Sequence, residues 1–145
     1  MDFSTQQAAK LTGLDIEVVK ALLRLKIIVP SVPGKGKGSV RRFTFRDLVA
    51  LRTACYLRNA GVGPKAMKQA IRYLMARSGL SATDVLAGTL LLTDGRDVYE
   101  VSDDVAFSTL RMPGQATALT IVPLSRLVHD LQANVQAAER LREAV

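Results

Sequence analysis

Through the first half of the chain, apolar residues recur at intervals of three and four, the spacing of one helix face. In STQQAAKLTGL, Ala8, Ala9 and Leu11 form such a face; Ser4 or Thr5 can cap its start, and Gly13 can end it. In DIEVVKALLRLKII the inward set is Ile16, Val19, Leu22 and Leu23, with Asp15 as N-cap and Pro30 and Pro33 as stops. Two helices joined by a short turn containing Gly predict a helix-turn-helix. RRFTF then alternates, Phe43 and Phe45 on one side and Arg42 and Thr44 on the other. Together with IIVP before it, this run predicts a two-stranded hairpin, a wing, whose tip is PGKGKGSV. FRDLVALRTACYLRNAGV reads as a third helix, with Leu48, Leu51, Ala54 and Cys55 at helical spacing. Pro64 opens a fourth helix, PKAMKQAIRYLMARSG, with Met67, Ala70, Ile71 and Leu74 on one face.

The second half changes period. GTLLLTDGRDVYEV is two short apolar runs around an Asp-Gly pair, the pattern of a β-hairpin. SDDVAFSTLR predicts a helix capped by Ser102 or Asp103, MPGQ a turn and ATALTIVP a third strand. From Pro123 onward a last helix carries Val128 and Val135 at heptad position a, and Leu124, Leu131 and Ala138 at d. That arrangement suits a two-stranded coil and makes these five residues candidates for dimerisation. The expected fold is therefore mainly α. A winged helix-turn-helix of four helices plus a β-hairpin occupies 1–77. A small α+β module, with the hairpin, the third strand and the C-terminal amphipathic helix, occupies 78–145. The boundary is expected near SGLSA, 78–82.

Charge sharpens this division. Residues 1–77 hold 15 Lys and Arg against 4 Asp and Glu, a net of +11; residues 78–145 hold 5 against 9, a net of −4. Such asymmetry points to a polyanionic partner, nucleic acid or a membrane surface, for the first half. The stretch VPGKGKGSVRRF supplies Lys35, Lys37, Arg41 and Arg42 with no acid among them, on a backbone that glycine lets approach a partner closely. On the second helix, Glu17, Lys20 and Arg24 fall in one exposed row. An ordinary solvated loop and helix face are the plain alternatives.

Other chemistry finds little support. One Cys and one His leave no disulfide framework and no cluster of Cys and His for a metal, so no cofactor is expected. Cys55 lies in an apolar stripe and is expected to be buried and inert, and His129 stands alone. Asp94, Asp97, Asp103 and Asp104 lack the spacing of a calcium loop. PGKGKGS has no Gly-Lys-Ser/Thr opening a helix, so it is not a phosphate loop. No nucleophile–base pairing suggests an enzyme. No apolar run approaches the ~20 residues of a membrane span, and MDFSTQQAAK has no apolar core of a secretory signal. A cytoplasmic protein is expected.

FSTQQAAKLTGLDIEVVKALLRLKIIVP and RRFTFRDLVALRTACYLRNAGVGPKAMKQAI together resemble the DNA-binding domain of the MerR family of bacterial transcriptional regulators. The likeness covers about the first 75 residues and rests on the colinear order of elements. Asp47 and Leu48 stand where the family enters its third helix. The chain departs from the family in carrying Lys20-Ala21-Leu22-Leu23 where Arg-Tyr-Tyr-Glu is usual, and in placing a sheet module before its last helix. The resemblance implies double-stranded DNA as partner and a homodimer on a pseudo-palindromic site. It also implies contacts from Thr5 at the start of helix one and from Arg46; Lys65 is a further phosphate candidate. Lys20, Arg24 and Glu17 would meet the major groove, and the wing cations the backbone or minor groove.

The expected function is thus a sequence-specific, MerR-like DNA-binding regulator. The alternatives are an antitoxin or adaptor, whose C-terminal module binds a protein partner while the first domain autoregulates, and a non-specific architectural or phage DNA-binding protein.

Overall fold

The computed structural model describes residues 2–32, 42–76, 90–93, 98–101 and 120–143. The wing tip with Lys35, Lys37 and Arg41, the 78–82 boundary, the Asp-Gly turn, the helix expected at 102–111 and the turn at 112–115 lie outside these residues. Among the described residues the protein is mainly helical: α1 (Thr5–Thr12), α2 (Ile16–Arg24), α3 (Phe45–Asn59), α4 (Pro64–Ala76) and α5 (Leu124–Glu143), with strands β1 (Leu90–Thr93), β2 (Val98–Val101) and β3 (Thr120–Val122).

Local chemistry explains the helix ends. Ser4 caps α1 in a reciprocal box: its hydroxyl accepts from the Gln7 N–H at 3.2 Å, and the Gln7 carboxamide accepts from the Ser4 N–H at 2.9 Å. Asp15 caps α2 through the Glu17 N–H at 2.9 Å. Thr44 caps α3. The run RRFTF is consequently split: Arg42 and Phe43 make bridge pairs, Thr44 is a cap and Phe45 is already helical.

Helix α2 stops at Arg24, four residues short of the expected end at Ile28 and well before Pro30. Three helices close in the same way. The N–H groups of Gly13 and Leu14 turn back to the carbonyls of Lys10 and Ala9, those of Lys26 and Ile27 to Leu23 and Leu22, and those of Gly61 and Val62 to Arg58 and Leu57. Gly13 and Gly61 adopt φ of 72° and 87°, and Lys26 adopts 57°. This closure swings Ile27 and Ile28 off the helix and into the core, where both are buried. The left-handed conformation costs a residue with a Cβ roughly 1–2 kcal/mol, and glycine's extra freedom in the unfolded chain offsets about half of that. Lys26→Gly is therefore expected to stabilise the fold by about 0.5–1 kcal/mol, read as a higher urea midpoint with an unchanged slope.

Helix α3 is the hub. Leu48, Val49, Ala50, Leu51, Thr53, Ala54 and Leu57 are buried almost all round it, because α1, α4 and α5 all pack against it. Cys55 is half-buried rather than buried, its sulfur 3.8 Å from the Asn59 carboxamide nitrogen. The buried hydroxyls of Thr12 and Thr53 donate to carbonyls one turn back, at 2.7 and 2.8 Å.

The strands form an antiparallel sheet in the order β2-β1-β3, with Leu90 opposite Val101 and Leu91 opposite both Glu100 and Val122. From β3 the chain enters α5, whose Leu124, Leu127, Val128 and Leu131 join one core with Phe43, Leu48 and Leu51. Of the residues expected to pair two copies, Leu124, Val128 and Leu131 are thus covered by their own chain. Val135 is half-buried and Ala138 exposed. The heptad stripe is real, but a stripe specifies only that something covers it.

Candidate nucleic-acid interface

The site is built around α2. Val19 and Leu22 bury one face of it, which turns the opposite row outward. Glu17, Lys20 and Arg24 are all exposed there, and the Lys20 ammonium is 3.8 Å from the Glu17 carboxylate. With the two side chains 53% and 72% exposed, this ion pair is weak and its members remain available to a partner. Asp15 and the turn Gly13–Leu14 aim α2 relative to α1, which it packs against.

The residues expected to form the base of a wing come after α2. Val32 and Arg42 pair antiparallel, with N–H to carbonyl distances of 3.1 and 3.0 Å. Phe43 pairs in turn with Phe3, at 2.8 and 2.7 Å, so three segments run side by side. Lys35, Lys37 and Arg41 lie between Val32 and Arg42 in the sequence.

Several candidates are engaged within the chain. Arg42 is half-exposed; its Nε lies 2.5 Å from Asp2 Oδ1, and its Nη2 is 3.4 Å from the Asp2 carbonyl oxygen. Arg46 donates to the Met75 carbonyl near the end of α4, where a cation complements the exposed carbonyls. It ties two helices together rather than standing free. Thr5 is the first residue of α1 and half-buried, beside the capping Ser4. Lys65 is exposed in the first turn of α4, on the same face as Lys68 and Arg72, and none of the three makes an ion pair with a described residue.

Three residues that sequence reasoning did not place in the site organise it. Asp47, 1% exposed, accepts hydrogen bonds from Ser31 and Thr44 and so joins α3 to the wing base. The spacing Thr44-x-x-Asp47 was the legible half of this, since it is a capping box. Arg52 donates to the Thr12 carbonyl at 3.0 Å and lies 5.6 Å over the Tyr56 ring, fixing the end of α1. Asn134 of α5 donates to the Leu11 carbonyl at 3.0 Å. No local signal marks either.

Among the described residues there is no group of three or more His, Cys, Asp or Glu suited to a metal. No described helix is long and apolar enough to cross a membrane. In helix-turn-helix folds the exposed row of the second helix is the one presented to the major groove.

Comparison with known proteins agrees. The chain is similar to HTH-type transcriptional regulators, themselves uncharacterized, of Mycobacterium bovis and of two strains of Mycobacterium tuberculosis. Each is 27% identical over 109 residues, which are 74% of this chain and 47% of the relative. The chain therefore spans about half the length of these curated relatives. The family model described as MerR HTH family regulatory protein matches residues 3–81, the span that holds α1 to α4, the wing base and the exposed row. The helix-turn-helix geometry and this match, over more than half of the chain, place the protein in the MerR family of HTH transcriptional regulators.

Proposed function

We propose that this chain is a sequence-specific transcriptional regulator that binds a pseudo-palindromic operator as a dimer and regulates without catalysis. The observation that carries the reading is the exposed row Glu17, Lys20 and Arg24, on a helix whose other face is buried and which leads straight into the wing base. Lys20 and Arg24 are suited to guanine edges or phosphates and Glu17 to a cytosine amino group. Lys35, Lys37 and Arg41 act on the sugar-phosphate backbone, with Lys65 as an outer contact. Arg42 and Arg46, engaged with Asp2 and Met75, support the interface more than they read it.

The first 77 residues serve DNA, and the acidic remainder serves assembly. With Leu124, Val128 and Leu131 consumed in the core, the dimer contact on α5 moves outward to Val135, Ala138 and Leu141, of which Leu141 is 70% exposed. A regulator of this class acts in the cytoplasm.

The test is fluorescence anisotropy with the protein's own upstream DNA and a scrambled duplex across a salt series. A preference for the upstream duplex of at least about 100-fold, with a logarithmic salt slope of several units, is the expected result. Equal affinity for both duplexes would instead assign the architectural role. Absence of binding at ~50 mM salt would leave the protein-partner role of the acidic half.

A further inference from the structure

Asp47 does more than cap a helix. Its Oδ2 accepts from the Thr44 N–H at 2.8 Å, and the Thr44 hydroxyl accepts from the Asp47 N–H at 3.3 Å; these two bonds complete the capping box of α3. The box needs nothing else. Yet the same carboxylate takes two more bonds from a residue 16 positions away: the Ser31 N–H on Oδ2 at 2.8 Å and the Ser31 hydroxyl on Oδ1 at 2.6 Å. No described cation pairs with it. Among the described residues, its partners are the neutral donors of Ser31 and Thr44, at the start of α3, and the carboxyl group is almost fully buried.

The placement of these donors is the point. Ser31 immediately precedes Val32, and Thr44 follows Arg42 by two residues. A single side chain therefore grips the outgoing and returning strands just outside the Val32–Arg42 bridge, and anchors both to the first turn of the hub helix. The opposite side of the returning strand is held by the Phe3–Phe43 bridge and the Asp2–Arg42 pair. Rotation of the wing base about its bridge must break bonds to Asp47.

We propose that Asp47 is a positioning residue for DNA binding. Without touching DNA, it fixes the wing base against α3, so that the backbone contacts of the wing and the row on α2 engage one duplex together. This rests on the DNA-binding reading above.

A double-mutant cycle tests it, using upstream DNA, the full chain and affinities referred to the folded fraction measured by circular dichroism. Changing Lys35 and Lys37 to Ala is expected to weaken wild-type binding about tenfold, but Asp47→Ala protein twofold or less, because the wing no longer arrives in register. Asp47→Asn should restore the tenfold effect. Its carboxamide oxygen can take both N–H bonds, and its nitrogen can donate to the Ser31 hydroxyl. Ser31→Ala removes only the 2.6 Å bond, leaves the cap of α3 intact, and should shrink the wing effect to about fivefold. That variant decides the matter if Asp47→Ala does not fold. An equal wing effect in all backgrounds would overturn the proposal and leave Asp47 a purely structural cap. Wild-type protein that binds no DNA would overturn the reading beneath it.

Discussion

Changing Lys35, Lys37 and Arg41 together to alanine lowers affinity for the upstream DNA by about 100-fold near 100 mM salt and reduces the logarithmic salt slope by about 3. Each cation that neutralises a phosphate releases condensed counterion, and each contributes about 0.9 to the slope. The expected loss is nearly uniform over sequences, since backbone contacts position the protein and base contacts specify. Arg24→Ala should behave differently. Its loss is expected to fall on one or two operator base pairs, by about 1–3 kcal/mol, with a smaller change in slope. Arg42 is left out of the triple change because its guanidinium is held by Asp2, so its removal would loosen the wing base as well as the charge. A triple variant with wild-type affinity and slope would remove the segment 33–41 from the interface.

Leu131→Ala is expected to cost about 3 kcal/mol of unfolding free energy, within the range for a large aliphatic side chain truncated in a packed core. Leu131 is 2% exposed, on the face of α5 that meets α3 and α1. The difference between variant and wild type should be the same at two protein concentrations tenfold apart, because the cavity opens inside one chain. Gln132→Ala, on the exposed face, should change stability by less than about 0.5 kcal/mol. A Leu131 penalty that grows on dilution would instead place the residue between two copies.

These two experiments probe opposite ends of what could be read from residues alone. Most helix starts, and the end of α1, were legible because the chemistry that makes them is local. Ser4 or Thr5, Asp15, Gly13 and Pro64 act within a turn of chain, so their spacing in the sequence is their spacing in space. The exposed row Glu17, Lys20 and Arg24 was legible for the same reason: once Val19 and Leu22 must be inside, helical geometry leaves that row outside. The charge division between the halves pointed to a polyanionic partner, and the order of elements with the local wording of the first 75 residues resembled the family that the comparison with known proteins then showed.

The tertiary structure decided the rest. α2 ends at Arg24 because Lys26 takes a conformation usually left to glycine, and Ile27 and Ile28 gain burial by it; no residue pattern announces a lysine in that role. Arg46 and Arg42 looked like free cations until Met75 and Asp2, 29 and 40 positions away, came into hydrogen-bonding reach. Asp47 was placed at the entry to the third helix by resemblance, and its clamp on Ser31 came only with the packed fold. The stripe on α5 had the period of a coil and of a core helix alike, and only its packing on α3 showed that Leu124, Val128 and Leu131 are covered within the chain. Periodicity and capping are interactions between near neighbours, which the sequence states outright. Which distant surface covers an apolar stripe, and which carbonyl or carboxylate engages a cation, depends on how the whole chain closes on itself, and that is settled only when the core is packed.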